Sequence, residues 1–99
     1  MQEQKQIQIK AKDEDLKGDY SNLMYIGHTK EEFILDFLLN APPSITLVSR
    51  IIMSPSHAKR MLKALQENIG KYEGQFNKIE EATMPTIPEG GIGFKAENK

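Results

Sequence analysis

Ninety-nine residues allow one domain, and a domain of that size buries only roughly 60–65% of the surface its unfolded chain exposes. With 38% hydrophobic and 27% charged residues the composition is globular rather than disordered. The lack of cysteine excludes a disulfide framework and a thiolate metal site, and a net charge of −1 excludes a strongly basic nucleic-acid footprint.

The charge is unevenly spread. Residues 20–79 carry seven Lys and Arg against five Asp and Glu, whereas residues 80–99 carry two Lys against four Glu. No apolar run approaches the ~18 residues of a membrane span. The opening Met1-Gln2-Glu3-Gln4-Lys5-Gln6 lacks the cationic and apolar regions of a signal peptide. The reading is a cytoplasmic, bacterial protein without membrane association.

Residues 1–19 form a polar segment in which Ile7, Ile9 and Ala11 alternate with polar residues, which predicts one short edge strand. Asp13-Glu14-Asp15 and Gly18-Asp19 then read as a loop. A domain follows over residues 20–79. Residues 20–28 read as a strand, and Gly27-His28-Thr29-Lys30 as a turn. Residues 32–39 make a second, densely apolar strand. Asn40-Ala41-Pro42-Pro43-Ser44 breaks it, because prolines cannot donate to a ladder. Residues 45–53 are a third, β-branched strand.

Placing Asp36 opposite Arg50, as a cross-strand ion pair, sets Phe33 against Met53, Leu35 against Ile51, Phe37 against Ser49 and Leu39 against Leu47. Placing Tyr25 opposite Leu35 sets Leu23 against Phe37. One sheet face is then almost wholly apolar. The other carries Met24, Ile26, Ile34, Leu38, Val48 and Ile52 among Asn22, Asp36 and Arg50. These six apolar residues would otherwise face water, so this second face is the expected homodimer surface.

Ser54 suits an N-cap and Pro55 the first helical position, where its missing N–H costs nothing. Ala58, Leu62, Leu65, Ile69, Tyr72, Phe76 and Ile79 then recur at spacings of 4, 3, 4, 3, 4 and 3, one apolar seam along a long helix. The expectation is that this seam packs across the apolar sheet face; a helix–helix seam in a dimer is the other reading. Gly70 and Gly74 each cost the helix about 1 kcal/mol relative to Ala. They mark either the approach of a neighbouring backbone or a frayed second half. Residues 80–99 are an acidic tail in which Pro85, Pro88, Gly90, Gly91 and Gly93 forbid a regular element, with Ile87, Ile92 and Phe94 as apolar spikes. The fold class is therefore α+β: an antiparallel β-meander of three or four strands and one long C-terminal amphipathic helix packed on it, β-β-β-β-α.

The candidate chemistry is sparse. His28 and His57, without cysteine, make no convincing metal site. No nucleophile elbow, P-loop, dinucleotide fingerprint or zinc-protease motif is present. Glu31, Glu32 and Asp36 read as hairpin surface charge. The expectation is a protein that is not an enzyme, with no catalytic, metal or cofactor-binding residues. Lys59, Arg60, Lys63 and Lys71 on the helix, with Arg50 on the third strand, are the residues that would contact nucleic acid or another partner.

A run of local sequence carries a resemblance. Tyr20-Ser21-Asn22-Leu23, His28-Thr29 and Glu32-Phe33-Ile34-Leu35-Asp36-Phe37 are followed by Ser49-Arg50-Ile51-Ile52-Met53-Ser54-Pro55-Ser56-His57-Ala58-Lys59-Arg60. Leu65-Gln66-Glu67-Asn68-Ile69, Lys71-Tyr72-Glu73 and Ile87-Pro88 complete it. Over about residues 16–80 the chain resembles the bacterial domain of unknown function 3467, departing from it at Asn77, where relatives commonly carry Gly. That resemblance implies no activity and no catalytic residues. The β-β-β-β-α order is also similar to Whirly and purine-rich-element-binding single-strand-binding folds, which work as paired units. This is an analogy of fold alone. Two functions follow: a homodimeric interaction module without catalysis, and a single-stranded nucleic-acid binder.

Overall fold

A computed structural model of the chain describes residues 6–82 and 93–96. The element order is α1 (Asp13–Lys17), β1 (Leu23–His28), β2 (Phe33–Ala41), β3 (Ser44–Met53) and α2 (Pro55–Gln75). The chain divides into two compact units, residues 1–65 and 66–99. The first holds α1, the whole sheet and the opening turns of α2.

The strand expected over Ile7–Ala11 is not formed. Residues 6–12 are irregular and exposed, so the sheet has three strands among the described residues. The acidic run expected to be a loop is instead the single helical turn α1. Asp13, Glu14 and Asp15 occupy its first turn and Lys17 its last, the arrangement the helix dipole favours. It stops at Gly18, whose φ of 77° and ψ of 169° lie where only glycine is at ease.

The three strands form an antiparallel meander, β1-β2-β3, with β2 central. The β1–β2 turn is tight. The Thr29 amide donates to the Glu32 carbonyl at 2.9 Å. The Thr29 hydroxyl oxygen accepts the amides of Glu31 and Glu32 at 3.2 Å each. At the far end Asn22 stands in for a strand residue: its Oδ1 accepts the Asn40 amide at 2.7 Å, and its Nδ2 donates to the Asn40 carbonyl at 3.1 Å. The Ser21 hydroxyl donates to the Leu38 carbonyl at 2.8 Å. Together these contacts pin β1 one residue away from the expected register. Tyr25 pairs with Asp36 rather than Leu35, Leu23 with Leu38, and Met24 with Phe37.

The β2–β3 register is the expected one where Asp36 meets Arg50, with Phe33 opposite Met53, Leu35 opposite Ile51 and Phe37 opposite Ser49. It then shifts between Phe37 and Leu38. The loop consists of Pro42 and Pro43 alone, joined by a cis peptide bond, so Ala41 faces Ser44. That pairing and the Asp36–Arg50 pairing differ in parity by one residue. Val48 is the extra residue that reconciles them, a β-bulge. Leu47 consequently pairs with Leu38, not with Leu39, and lies on the Asp36 face.

One sheet face therefore holds Met24, Ile26, Phe33, Leu35, Phe37, Leu39, Ile51 and Met53. The other holds Leu23, Tyr25, Ile34, Asp36, Leu38, Leu47, Arg50 and Ile52. Among the described residues the buried side chains all lie on the central strand: Leu35 is 1%, Asp36 2% and Leu38 3% exposed.

The helix begins as the sequence dictates. The Ser54 hydroxyl accepts the His57 amide at 3.2 Å, and the Ser54 carbonyl accepts the Ala58 amide at 3.0 Å. It runs unbroken past Gly70 and Gly74 to Gln75, so the glycines do not mark a frayed half. Beyond it, the Phe76 amide donates to the Tyr72 carbonyl at 2.8 Å, and the Glu73 carboxylate accepts the Ile79 amide at 2.8 Å. Of the expected tail, Ile87 and Ile92 lie outside the described residues, while Phe94 is described and exposed.

A candidate interaction surface on α2

At about 100° of rotation per residue, Ala58, Leu62, Leu65, Ile69, Tyr72 and Phe76 fall within about 40° of one line along α2. The seam was expected to pack across the apolar sheet face; no residue of α2 is buried. Leu62 is 52%, Leu65 55% and Phe76 60% exposed, and Ile69, Tyr72 and Ile79 are exposed as well. Along the seam Tyr72 and Phe76 pair at i, i+4 with ring centroids 4.9 Å apart.

The cations lie elsewhere on the helix. Lys59, Arg60, Lys63 and Lys71 occupy positions about 100–220° from the seam, with Glu67 as the acid among them. All are exposed. Arg60 is held along its own helix, its Nη1 donating to the Ser56 hydroxyl at 3.0 Å and its Nη2 lying 3.4 Å from His57 Nδ1. Gly70 and Gly74 share this cationic side, and a Cβ added at either would meet no atom within 4 Å.

The structure separates the other residues singled out above. Arg50 clamps Asp36, Nε to Oδ1 at 2.6 Å and Nη2 to Oδ2 at 2.9 Å. The guanidinium hydrogen bond, assisted by its charge and opposed by desolvation, holds the Asp36 carboxyl below its ordinary range. The same contact raises Arg50. With 3% of its side chain exposed, Asp36 is a buried carboxylate neutralised in place, and Arg50 serves the sheet first.

The six residues expected to form one dimer face do not share a face. Met24 and Ile26 stand with Leu35, Ile34, Leu38 and Ile52 stand with Asp36, and Val48 is the bulge. Leu38 is already buried within the chain. The cause is the one-residue slip of β1, which exchanges its two faces. His28, expected in the turn, ends β1 and stacks on Phe33 with ring centroids 5.4 Å apart. Among the described residues, no three His, Asp or Glu side chains are grouped to hold a metal ion, and no helix is long and apolar enough to cross a membrane.

What the sequence did not reveal is the exposure of the seam residues; their spacing was legible, their exposure was not. Neither a curated protein nor a solved structure matches the chain. Residues 1–81 match the model of the family described as protein of unknown function (DUF3467), and the chain belongs to that family.

Proposed function

We propose that this chain is a non-catalytic interaction module that works as a homodimer. One observation carries the reading: the only fully buried apolar side chains among the described residues are Leu35 and Leu38, while the large seam side chains of α2, Leu62, Leu65, Ile69, Tyr72 and Phe76, are 39–60% exposed. Monomers rarely leave such a contiguous stripe open to water, and a small domain gains most from a partner that covers one. The dimer surface is accordingly moved from the sheet face expected above to α2. Multi-angle light scattering on the full chain at micromolar concentration tests this. The expected mass is twice the 11.2 kDa of one chain, and a clean monomer overturns the proposal.

A second reading, binding of single-stranded nucleic acid, draws support from the placement of the cations. A dimer closed through the seam leaves Arg60, Lys63 and Lys71 facing outward on both copies. Fluorescence anisotropy with a labelled oligonucleotide decides it. Binding must weaken with salt at a log–log slope of about −0.7 per phosphate neutralised, and no salt-dependent binding removes it.

A further inference from the structure

The geometry points to a specific mode of assembly, resting on the homodimer reading above: α2 pairs antiparallel with α2 of a second copy, about a two-fold axis level with Glu67. Over the helical stretch of the seam, Ala58, Leu62, Leu65, Ile69, Tyr72 and Phe76 are spaced 4, 3, 4, 3 and 4, symmetric about position 67, while Ile79 lies beyond the end of α2 and outside this pairing. Turning one helix end for end therefore sets Ala58 against Phe76 of the second copy, Leu62 against its Tyr72, and Leu65 against its Ile69.

Side-chain size follows the same symmetry. The smallest seam residue, Ala58, meets the aromatic Phe76, and a leucine meets Tyr72, so each layer combines a smaller residue with a larger one or two of equal size. Parallel pairing would instead stack Ala58 on Ala58 and Phe76 on Phe76, leaving a void at one end and crowding at the other.

Charge selects the same orientation. Lys59 and Glu73 flank the seam on one side, at about 100° and 60° from its line. In an antiparallel pair like flanks face each other, and Lys59 comes level with Glu73 of the second copy to within about 3 Å along the axis. In a parallel pair they are about 21 Å apart along it. The area is sufficient. The five large seam side chains, 39–60% exposed, present on the order of 500 Å² per copy, so two copies reach the roughly 1,000 Å² a specific interface requires, before the flanks are counted.

The cysteine-free chain makes the test clean. Full-length Lys59→Cys and Glu73→Cys copies are coexpressed and treated with a short bis-maleimide, and Ala58→Cys is treated alone. The inference expects a cross-linked dimer joining Cys at 59 to Cys at 73, identified by peptide mass, with little product from either variant by itself or from Ala58→Cys. Efficient self-linking of Ala58→Cys means parallel helices and overturns the orientation. A dimer by light scattering that neither arrangement links overturns the seam as its interface while leaving the homodimer standing. A monomer by light scattering overturns both.

Discussion

Replacing both Gly70 and Gly74 with alanine is expected to stabilise the protein. Both positions lie inside the 21-residue α2, and neither needs a left-handed backbone. An added Cβ meets nothing within 4 Å at either, so no steric cost offsets the gain in helix propensity. Each substitution is worth about 1 kcal/mol in a helix interior. The pair should then add about 2 kcal/mol, on the order of a 30-fold change in the folding equilibrium. For a domain of this length that corresponds to a rise in Tm of about 8–16 °C. Both glycines sit about 120–160° from the apolar seam, so the mass of the proposed dimer should not change. Thermal and urea unfolding followed at 222 nm, with light scattering beside them, measures both quantities. Lower stability, or loss of the dimer, would refute the reasoning, because it would mean that a neighbouring backbone packs on the glycine side.

Leu35→Ala should cost about 2–5 kcal/mol, since Leu35 is 1% exposed on the central strand, and a urea midpoint that barely moves would place the core elsewhere. Arg50→Leu should strongly destabilise the fold by leaving the Asp36 carboxylate buried without its guanidinium, and Asp36→Leu added to Arg50→Leu should restore most of the loss; a double variant no more stable than the single one contradicts this. The Asp36 carboxyl is held below the ordinary 3.8, so its contribution is complete above that pH and fades as pH falls through the lower folded value. The stability gap between the protein and Asp36→Asn should therefore close on acidification below about pH 3.8, and a gap that widens there would reverse the sign of the argument. Gly18→Ala should erase amide protection in the five-residue α1 while leaving global unfolding unchanged, because α1 buries nothing. Hydrogen exchange reads this, and a global loss would show that α1 supports the sheet.

The parts of the fold legible in the sequence are those set by local chemistry. Ser54 and Pro55 fix the start of α2, and Asp36 opposite Arg50 fixes the middle of the β2–β3 ladder. The parts that were not legible depend on parity. Whether Tyr25 pairs with Leu35 or Asp36 turns on one residue in the β1–β2 turn, and that is decided by the Thr29 hydroxyl and the Asn22–Asn40 clamp, contacts across up to 18 residues that no alternation pattern encodes. The bulge at Val48 is similar: a two-residue Pro42-Pro43 loop and a charge pair six residues before it and seven after demand registers of opposite parity, and one unpaired residue must absorb the difference. A single slip was enough to scatter the expected dimer face, because the side-chain period of a strand is two.

The seam of α2 shows the complementary limit. Spacing by threes and fours tells which side of a helix is apolar, but a sheet and a second helix accept the same stripe, so the pattern alone leaves its cover undecided. Further constraint comes from the order of sizes and charges along the stripe. A sheet face offers no reason for Ala58 and Phe76 to occupy the two ends of the stripe, or for Lys59 and Glu73 to share one flank. A second copy running the opposite way, as proposed, uses both features at once, because an isologous contact requires a surface to complement itself.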